Sequence, residues 1–241
     1  MNKFHLVFLF LSFFFINSQD AIKVYYFPRP PLYTVDSKGN VGGIITDIVK
    51  KVFEDAKVSY VFMEAPSKRV EESLKVGDNA CGIGWFKKAE REEFAVFSEP
   101  VYRDNKQNII IQIKKKSVLP AAPTLVEILS SGLTLGVIEG FSYGGWVDDG
   151  IKKNKPKIES AVVDQLRLLS MMAGDRCHYT FISQEEGEWA LQSDKNLAAN
   201  LTLLPVKDAP EGNLRYIMFS KGVKKDIIDK VNISIKKITK K

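Results

Sequence analysis

The sequence predicts an α/β protein of two lobes, and three observations support this prediction. Apolar runs of strand length alternate with segments that carry apolar residues at helical spacing, a pattern typical of parallel α/β packing. This alternation begins again beyond Ile113. In both halves a helix ended by Gly-Asp is followed by a cysteine and an apolar strand, at 77–86 and at 174–183. The two halves are therefore interpreted as structural repeats.

The amino terminus has the features of a secretory signal. Lys3 precedes an apolar run over 6–15, and the small or polar residues Asn17 and Ser18 follow it. We expect residues 1–18 to be a cleaved signal peptide, with Ala21 as a second choice of cleavage point. No later apolar run approaches the roughly 20 residues of a membrane helix. The mature chain is expected in the periplasm, without membrane insertion.

Composition is that of a globular protein with a modest positive charge. The chain has 241 residues, of which 45% are hydrophobic, enough for one large or two ordinary cores. Removal of residues 1–18 takes away Lys3 and no acid, which lowers the formal charge from +6 to +5. Many lysines lie on the polar face of an amphipathic helix over 223–241. This pattern indicates a solvated surface, and no nucleic-acid partner is expected.

The elements of the first half follow from periodicity and from glycine and proline positions. They are a strand at 21–27, a loop at 28–31, a turn at 36–40, a helix at 45–53, a strand at 58–63 and a helix at 69–76 that ends at Gly77.

The stretch 81–102 is the segment around which the other elements are arranged. Residues 81–86 predict a buried strand, and 87–94 predict a short helix with Arg91 in its first turns. A guanidinium near a helix amino terminus can bind a carboxylate through two parallel hydrogen bonds. Pro100 prevents further helix, so the chain is expected to turn and run extended into a strand at 108–113.

The second half repeats the alternation and adds a closing unit. It predicts a helix at 125–129, a strand at 133–138, a glycine-bounded turn at 139–144, a helix at 165–172, strands at 177–183 and 213–220, and the final helix.

Two motifs resemble the family 3 extracellular solute-binding proteins, the periplasmic receptors of amino-acid-type ABC importers. Glu90-Arg91 followed by FSEPVY at 97–102 is similar to the family's T-x-x-R and F-S-x-P-Y, with Val101 inserted and Lys88 at the threonine position. Gly43 and Asp47 match a G-x-x-x-D near the start of the family.

This resemblance implies a two-lobed periplasmic binding protein (type II) fold. Each lobe would be a sheet flanked by helices, and the chain would cross between lobes twice, near 108–112 and 207–213. Residues 19–112 and 208–241 would form lobe 1, and 113–207 would form lobe 2.

The ligand site is expected between the lobes, at the carboxyl ends of the strands. Its predicted residues are Tyr26, Arg29, Trp85, Phe86 and Arg91 from the first lobe, and Ser142, Tyr143, Ser183 and Glu185 from the second. By resemblance, Arg91 binds a ligand carboxylate and Ser142 assists it from a G-[ST]-[ST] turn.

Two departures from the family bear on the ligand. Ser183 stands where these receptors carry an aspartate that pairs with the ligand's α-ammonium, and Glu185 is a candidate substitute. Gly84 and Phe86 replace the usual small hydroxyl residues. Because a buried ammonium without a carboxylate is costly, the ligand is expected to be a carboxylate or a modified or aromatic compound.

The leading hypothesis is a monomeric, non-enzymatic solute receptor that delivers a small carboxylate-bearing or amino-acid-like molecule to the membrane subunits of an ABC importer. A cyclohexadienyl dehydratase-like enzyme, with Glu185 or Glu186 as the acid–base group, is one alternative. A ligand-sensing partner of a membrane receptor is another.

No cofactor or metal is expected, because His178 is the single histidine beyond the signal and no metal-spaced cluster occurs. The G-x-S-x-G letters at 140–144 lack a suitably placed histidine for a hydrolase. Cys81 and Cys177 are expected in different lobes, and hence as unpaired thiols.

Overall fold

The computed structural model describes residues 21–239, so the predicted signal peptide at 1–18 lies outside the described residues. The strands within this range are β1 (Ile22–Tyr26), β2 (Thr34–Val35), β3 (Val41–Gly42), β4 (Tyr60–Glu64), β5 (Ala80–Trp85), β6 (Ala95–Arg103), β7 (Gln107–Gln112), β8 (Leu135–Ile138), β9 (Ile158–Ala161), β10 (Tyr179–Ser183), β11 (Leu201–Pro205) and β12 (Leu214–Ser220).

The α-helices within the same range are α1 (Ile44–Asp55), α2 (Ser67–Lys75), α3 (Ala89–Glu92), α4 (Leu125–Leu129), α5 (Gly145–Asn154), α6 (Gln165–Ala173), α7 (Gln184–Ser193), α8 (Lys195–Asn200) and α9 (Lys225–Thr239). A 3-10 helix, Ile113–Val118, follows β7. No helix in this part of the chain has both the length and the apolar character that crossing a bilayer requires.

Two five-stranded sheets, each flanked by helices, confirm the predicted two-lobed fold. The first has the order β4-β1-β5-β12-β6, with β1 parallel to β4 and β5, and β12 antiparallel to β5 and β6. The second has the order β11-β7-β10-β8-β9, with β8 parallel to β9 and β10. In the second sheet β7 is antiparallel to its neighbours β10 and β11. Both sheets therefore contain parallel and antiparallel pairs, whereas strand–helix alternation predicted parallel packing.

The chain passes between the sheets twice, at 104–106 and at 206–213. The predicted boundary after residue 112 needs a correction. β7 lies in the second sheet, where it pairs antiparallel with β10 and β11, and so belongs with lobe 2. A run of isoleucines predicts a buried strand but does not indicate which sheet it joins. The predicted return of the last strand and helix to the first lobe is seen in the pairing of β12 with β5.

The local structure differs from the predictions mainly in short, polar segments, where apolar residues do not recur at helix or strand spacing. The helix predicted at 87–94 is a single turn, α3. The turn expected at Pro100 is absent, because β6 continues through it as an edge strand with a register shift opposite Tyr216. The helices α5, α7 and α8 and the strands β9 and β11 were not predicted. β9 is the clearest case, since as a sheet edge it lacks a continuous apolar run.

The two cysteines lie in separate lobes, which confirms their predicted unpaired state. Cys81 is in β5 of the first sheet, and Cys177 precedes β10 of the second, and both are buried free thiols. Burial raises the pKa of both thiols, that of Cys177 to about 11. At neutral pH both therefore remain protonated and shielded from reagents.

We expect thiol titration of the denatured, unreduced protein to find two reactive groups per chain. The native protein should react slowly at both positions, because reaction requires access to a thiolate. A denatured, unreduced protein without free thiols would contradict the placement of the cysteines in different lobes.

Candidate functional site

A small cavity between the lobes collects five of the nine predicted site residues. This inter-lobe cavity has a volume of ≈ 30 Å³, which leaves room for water but not for an organic ligand. Its lining includes the predicted residues Arg29, Trp85, Phe86, Arg91 and Ser142, and also Phe27, Ser67, Gly84, Gly140, Phe141 and Arg215. The structure therefore brings together side chains from both lobes. Whether they bind a ligand remains a prediction.

Arg91 is held inside this cavity by a neighbouring acid. Its Nε donates to Glu71 Oε1 at 2.9 Å, its Nη2 forms an ion pair with the same oxygen at 2.9 Å, and Nη1 donates to the Phe86 carbonyl at 3.1 Å. The guanidinium also stacks 4.5 Å from the centre of the Trp85 ring. The single turn α3 offers no extended helix amino terminus beside it. In this state Arg91 is thus occupied by a carboxylate of the protein itself.

Arg29 bridges the two lobes through a buried ion pair. Its Nε and Nη2 contact the two carboxylate oxygens of Glu186, a residue in the first turn of α7. Ser183 Oγ donates to Glu186 Oε2 at 2.8 Å, so both oxygens of this carboxylate are occupied. Sequence reasoning considered Glu186 only as an enzymatic group. The structure places it as the partner of Arg29.

A second buried ion pair was missed by the sequence prediction. Arg215 Nε contacts Asp104 Oδ1, Arg215 Nη1 donates to the Gly84 carbonyl at 2.9 Å, and its guanidinium lies 4.7 Å from the centre of the Phe86 ring. Burial raises the pKa of Asp104, and the adjacent Arg215 opposes that rise. A lone arginine in the otherwise apolar strand β12 is the signal that could have identified this pair.

Ser142 takes part in a network that connects the lobes beside the cavity. Its Oγ donates to Asp148 Oδ2 at 2.6 Å, and the Gly144 N–H donates to Ser142 Oγ at 3.2 Å. Lys88, from the first lobe, donates to the same Asp148 oxygen at 2.7 Å. The lysine at the family's threonine position therefore forms an ion pair across the cleft.

Trp85 and Phe86 form the first-lobe wall of the inter-lobe cavity. Trp85 is almost fully buried and packs over Gly82, where a Cβ would lie 2.4 Å from its Nε1. This Nε1 has no hydrogen-bond partner within residues 21–239. Gly84 adopts φ +73°, and a Cβ there would lie 1.5 Å from the Tyr33 hydroxyl oxygen. A hydroxyl side chain could not replace Gly84 without displacing Tyr33.

Four predicted site residues do not line the inter-lobe cavity. Ser183 lies behind it, in the contact with Glu186 already described. Tyr26 packs edge-on against Phe62 in the first core, and Tyr143 accepts a hydrogen bond from the Ile138 N–H at 3.1 Å in the second. Phe27, which directly follows Tyr26, faces the cavity instead, because successive side chains point to opposite sides of an extended chain. Phe141, two residues before Tyr143, lines the cavity as well.

Glu185 contacts the crossover segment instead of the cavity. Its Oε1 accepts hydrogen bonds from the Tyr102 hydroxyl at 3.1 Å and from the Asn105 N–H at 3.3 Å. Burial, and then the nearby Glu185 charge, raise the pKa of Tyr102. Glu185 is therefore positioned to connect α7 with the first lobe.

A much larger space adjoins the inter-lobe cavity on one side. This lateral chamber has a volume of ≈ 640 Å³ and lies between the ends of β1 and β4, the start of α2, and the segments that follow β8 and β9. Phe27, Ser67, Gly140 and Phe141 line both spaces. The centres of the Phe27 and Phe141 rings are 5.1 Å apart. This aromatic contact joins the two lobes at the boundary between the inter-lobe cavity and the lateral chamber.

Comparison with solved structures shows the same fold in binding proteins. Holo ArgBP from T. maritima aligns with a TM-score of 0.75 at 18% identity, over 94% of this chain and 93% of that one. An ancestral arginine-binding protein bound to arginine aligns with a TM-score of 0.75 at 17% identity, over 92% and 93%. The ancestral amino acid-binding protein AncCDT-1, a precursor of cyclohexadienyl dehydratase, gives 0.71 at 15%, over 92% and 90%.

A search of curated protein sequences finds no match to this chain. The family model of the bacterial extracellular solute-binding proteins, family 3, matches residues 22–241, which include both sheets and the whole inter-lobe cavity. The chain therefore belongs to the bacterial extracellular solute-binding proteins, family 3.

Proposed function

We propose that this protein is a periplasmic receptor that captures a small carboxylate-bearing or amino-acid-like molecule between its lobes and delivers it to an ABC importer. The observation that carries the proposal is the convergence of Arg91, Arg29 and Arg215 on one inter-lobe cavity, with Ser142 opposite. Each guanidinium is paired with a protein carboxylate, and an anionic ligand group can bind where one of these carboxylates gives way. Family membership agrees with a ligand-binding role.

Arg91 is the arginine best suited to exchange its protein partner for a ligand. The side chain of Glu71 is 27% exposed, whereas those of Glu186 and Asp104 are 1% and 6% exposed. Glu71 can therefore move into solvent at a small desolvation cost, while the other two carboxylates would have to leave a buried site. We infer that a ligand carboxylate replaces Glu71 on Arg91 when the lobes open and reclose.

The enzymatic alternative has less support from the geometry. Neither Glu185 nor Glu186 lines the inter-lobe cavity, and both oxygens of Glu186 are already bound. A general acid–base group must reach the reacting atoms of the substrate. We therefore propose a non-enzymatic receptor that works as a monomer.

A thermal-shift screen against amino acids, small carboxylates and aromatic acids tests the proposal. A ligand at about 100 times its Kd stabilises the folded state by roughly 2.7 kcal/mol, which gives a clear shift. Uptake of the best ligand into cells should fall when the gene is deleted. A ligand that the purified protein converts to product would favour the enzyme instead, and a full screen without any shift would contradict the receptor.

We expect solution scattering to report closure of the lobes. The two crossovers, 104–106 and 206–213, are the covalent connections between the sheets and are the expected hinge. The radius of gyration should decrease when the ligand found in the screen is added to saturation. An unchanged radius would indicate that the ligand-free protein is already closed.

A further inference from the structure

The lateral chamber is much larger than the inter-lobe cavity beside it, and the predicted site residues leave it unexplained. A ligand confined to the inter-lobe cavity would have to fit a volume of ≈ 30 Å³, whereas the chamber beside it offers ≈ 640 Å³. Pockets of about 300 to 1,000 Å³ are the usual size for organic ligands larger than a metabolite fragment. The chamber therefore has room for a ligand body that extends beyond Arg91.

The walls of the chamber are apolar. Phe27 and Phe141 form the side next to the inter-lobe cavity, and Pro66 and Val163 contribute to the remaining surface. Such walls favour aliphatic or aromatic groups, because each removes apolar area from water. The middle part of a ligand in this chamber is accordingly expected to be apolar.

The rim of the chamber is acidic. Glu64, Glu139 and Asp164 line it together with Glu71, while Lys68 is the single basic residue of the lining. Glu64 and Glu139 form no ion pair with another residue in the range 21–239. A cleft lined by one sign of charge concentrates counter-ions, so the outer end of the ligand should be cationic.

Glu71 connects the two spaces. It lines the chamber and contacts Arg91 at 2.9 Å, so a carboxylate that replaces it on Arg91 would enter from the chamber side. Arg91 therefore lies on the cavity side and the other acidic side chains lie on the chamber side, with Glu71 and the Phe27–Phe141 contact between them. A molecule with a carboxylate at one end and an ammonium at the other would complement Arg91 and these acidic residues.

We propose that the lateral chamber binds the apolar body and ammonium end of an elongated zwitterion, a short apolar peptide, whose terminal carboxylate lies at Arg91. The proposal rests on the proposed receptor function and specifies its ligand class. A single amino acid would occupy only the Arg91 end and leave the acidic rim unused. A peptide would use both ends and the apolar walls between them.

Calorimetry with L-leucine, dileucine and trileucine tests this length dependence. We expect the Kd to fall at least tenfold between leucine and the better of the two peptides. Acetylation of that peptide's amino terminus should remove most of the gain, because the rim would lose its cationic partner. The double variant Glu64→Gln/Glu139→Gln should bind the free peptide about as weakly as the parent binds the acetylated one.

A steric variant separates the chamber from the cleft. Val162 lines the chamber and is 80% exposed, so Val162→Trp adds bulk there without disturbing a core. It should raise the Kd for the peptide at least tenfold, and Val76→Trp, at a position that is 77% exposed and outside the chamber lining, should leave the Kd unchanged.

The outcomes distinguish this inference from the receptor function. If leucine or another small carboxylate binds and neither peptide binds more tightly, the chamber proposal is overturned and the receptor function stands. A peptide that binds equally well to Val162→Trp also overturns it. If no leucine probe binds, the chamber proposal fails, and the broader carboxylate screen decides the receptor function independently.

Discussion

Replacement of Arg29 by alanine is expected to lower the free energy of unfolding by about 3 to 5 kcal/mol, since removing one member of a buried ion pair leaves the other charge uncompensated. Glu186 is 1% exposed, and without Arg29 it would keep only the hydrogen bond from Ser183. The pair also joins the lobes, so its loss should favour their opening. Denaturant unfolding followed by circular dichroism measures the effect.

The surface pair Lys106–Glu211 is the matched control, with side chains that are 61% and 74% exposed. Lys106→Ala should change stability by about 1 kcal/mol or less. The double variant Arg29→Met/Glu186→Leu should recover much of the loss, because an apolar pair carries no buried charge. A loss below 1 kcal/mol in Arg29→Ala would show that the ion pair does not hold the closed arrangement.

Replacement of Arg91 by alanine is expected to weaken binding of the ligand by about 2 to 5 kcal/mol. The inferred contact is a guanidinium–carboxylate pair in a desolvated cavity, and the loss corresponds to a Kd roughly 30-fold to several thousand-fold higher. Arg91→Lys should restore only part of the affinity, because an ammonium lacks the planar fork. Ser142→Ala should cost about 1 kcal/mol, as expected for one hydroxyl group.

The pairing of Arg91 with Glu71 allows a second test, in which a substitution should increase the affinity for the ligand instead of lowering it. If a ligand carboxylate must replace Glu71, then Glu71→Gln removes the competing charge and should tighten binding. Arg176→Ala removes an exposed arginine that is ion-paired with Glu159 and should leave the Kd unchanged. Calorimetry on the folded variants decides the matter: an Arg91→Ala protein that binds as tightly as the parent would mean that the ligand site lies elsewhere.

Much of the fold could be predicted from the sequence, because local patterns carry that information. The apolar runs at β1, β5, β10 and β12 and the periodic helices α1, α6 and α9 predict the central elements of both lobes. Segments without such a pattern could not be predicted, because their structure depends on pairing with a neighbouring strand. The edge strand β9, which lies beside β8, is an example. The assignment of β7 to the second sheet also depended on pairing with distant strands.

For the site, the sequence by itself determined which residues stand at strand ends, and Arg91, Arg29, Ser142, Trp85 and Phe86 do line one cavity. Only the tertiary structure decided which charge each arginine meets. Arg29 and Glu186 are 157 positions apart and Arg215 and Asp104 are 111 apart, so no local pattern links them. Ion pairs over such separations depend on how the lobes and strands are juxtaposed, which is a property of the assembled molecule. The lateral chamber has the same origin, because its walls come from four separate strand ends that only the folded chain brings together.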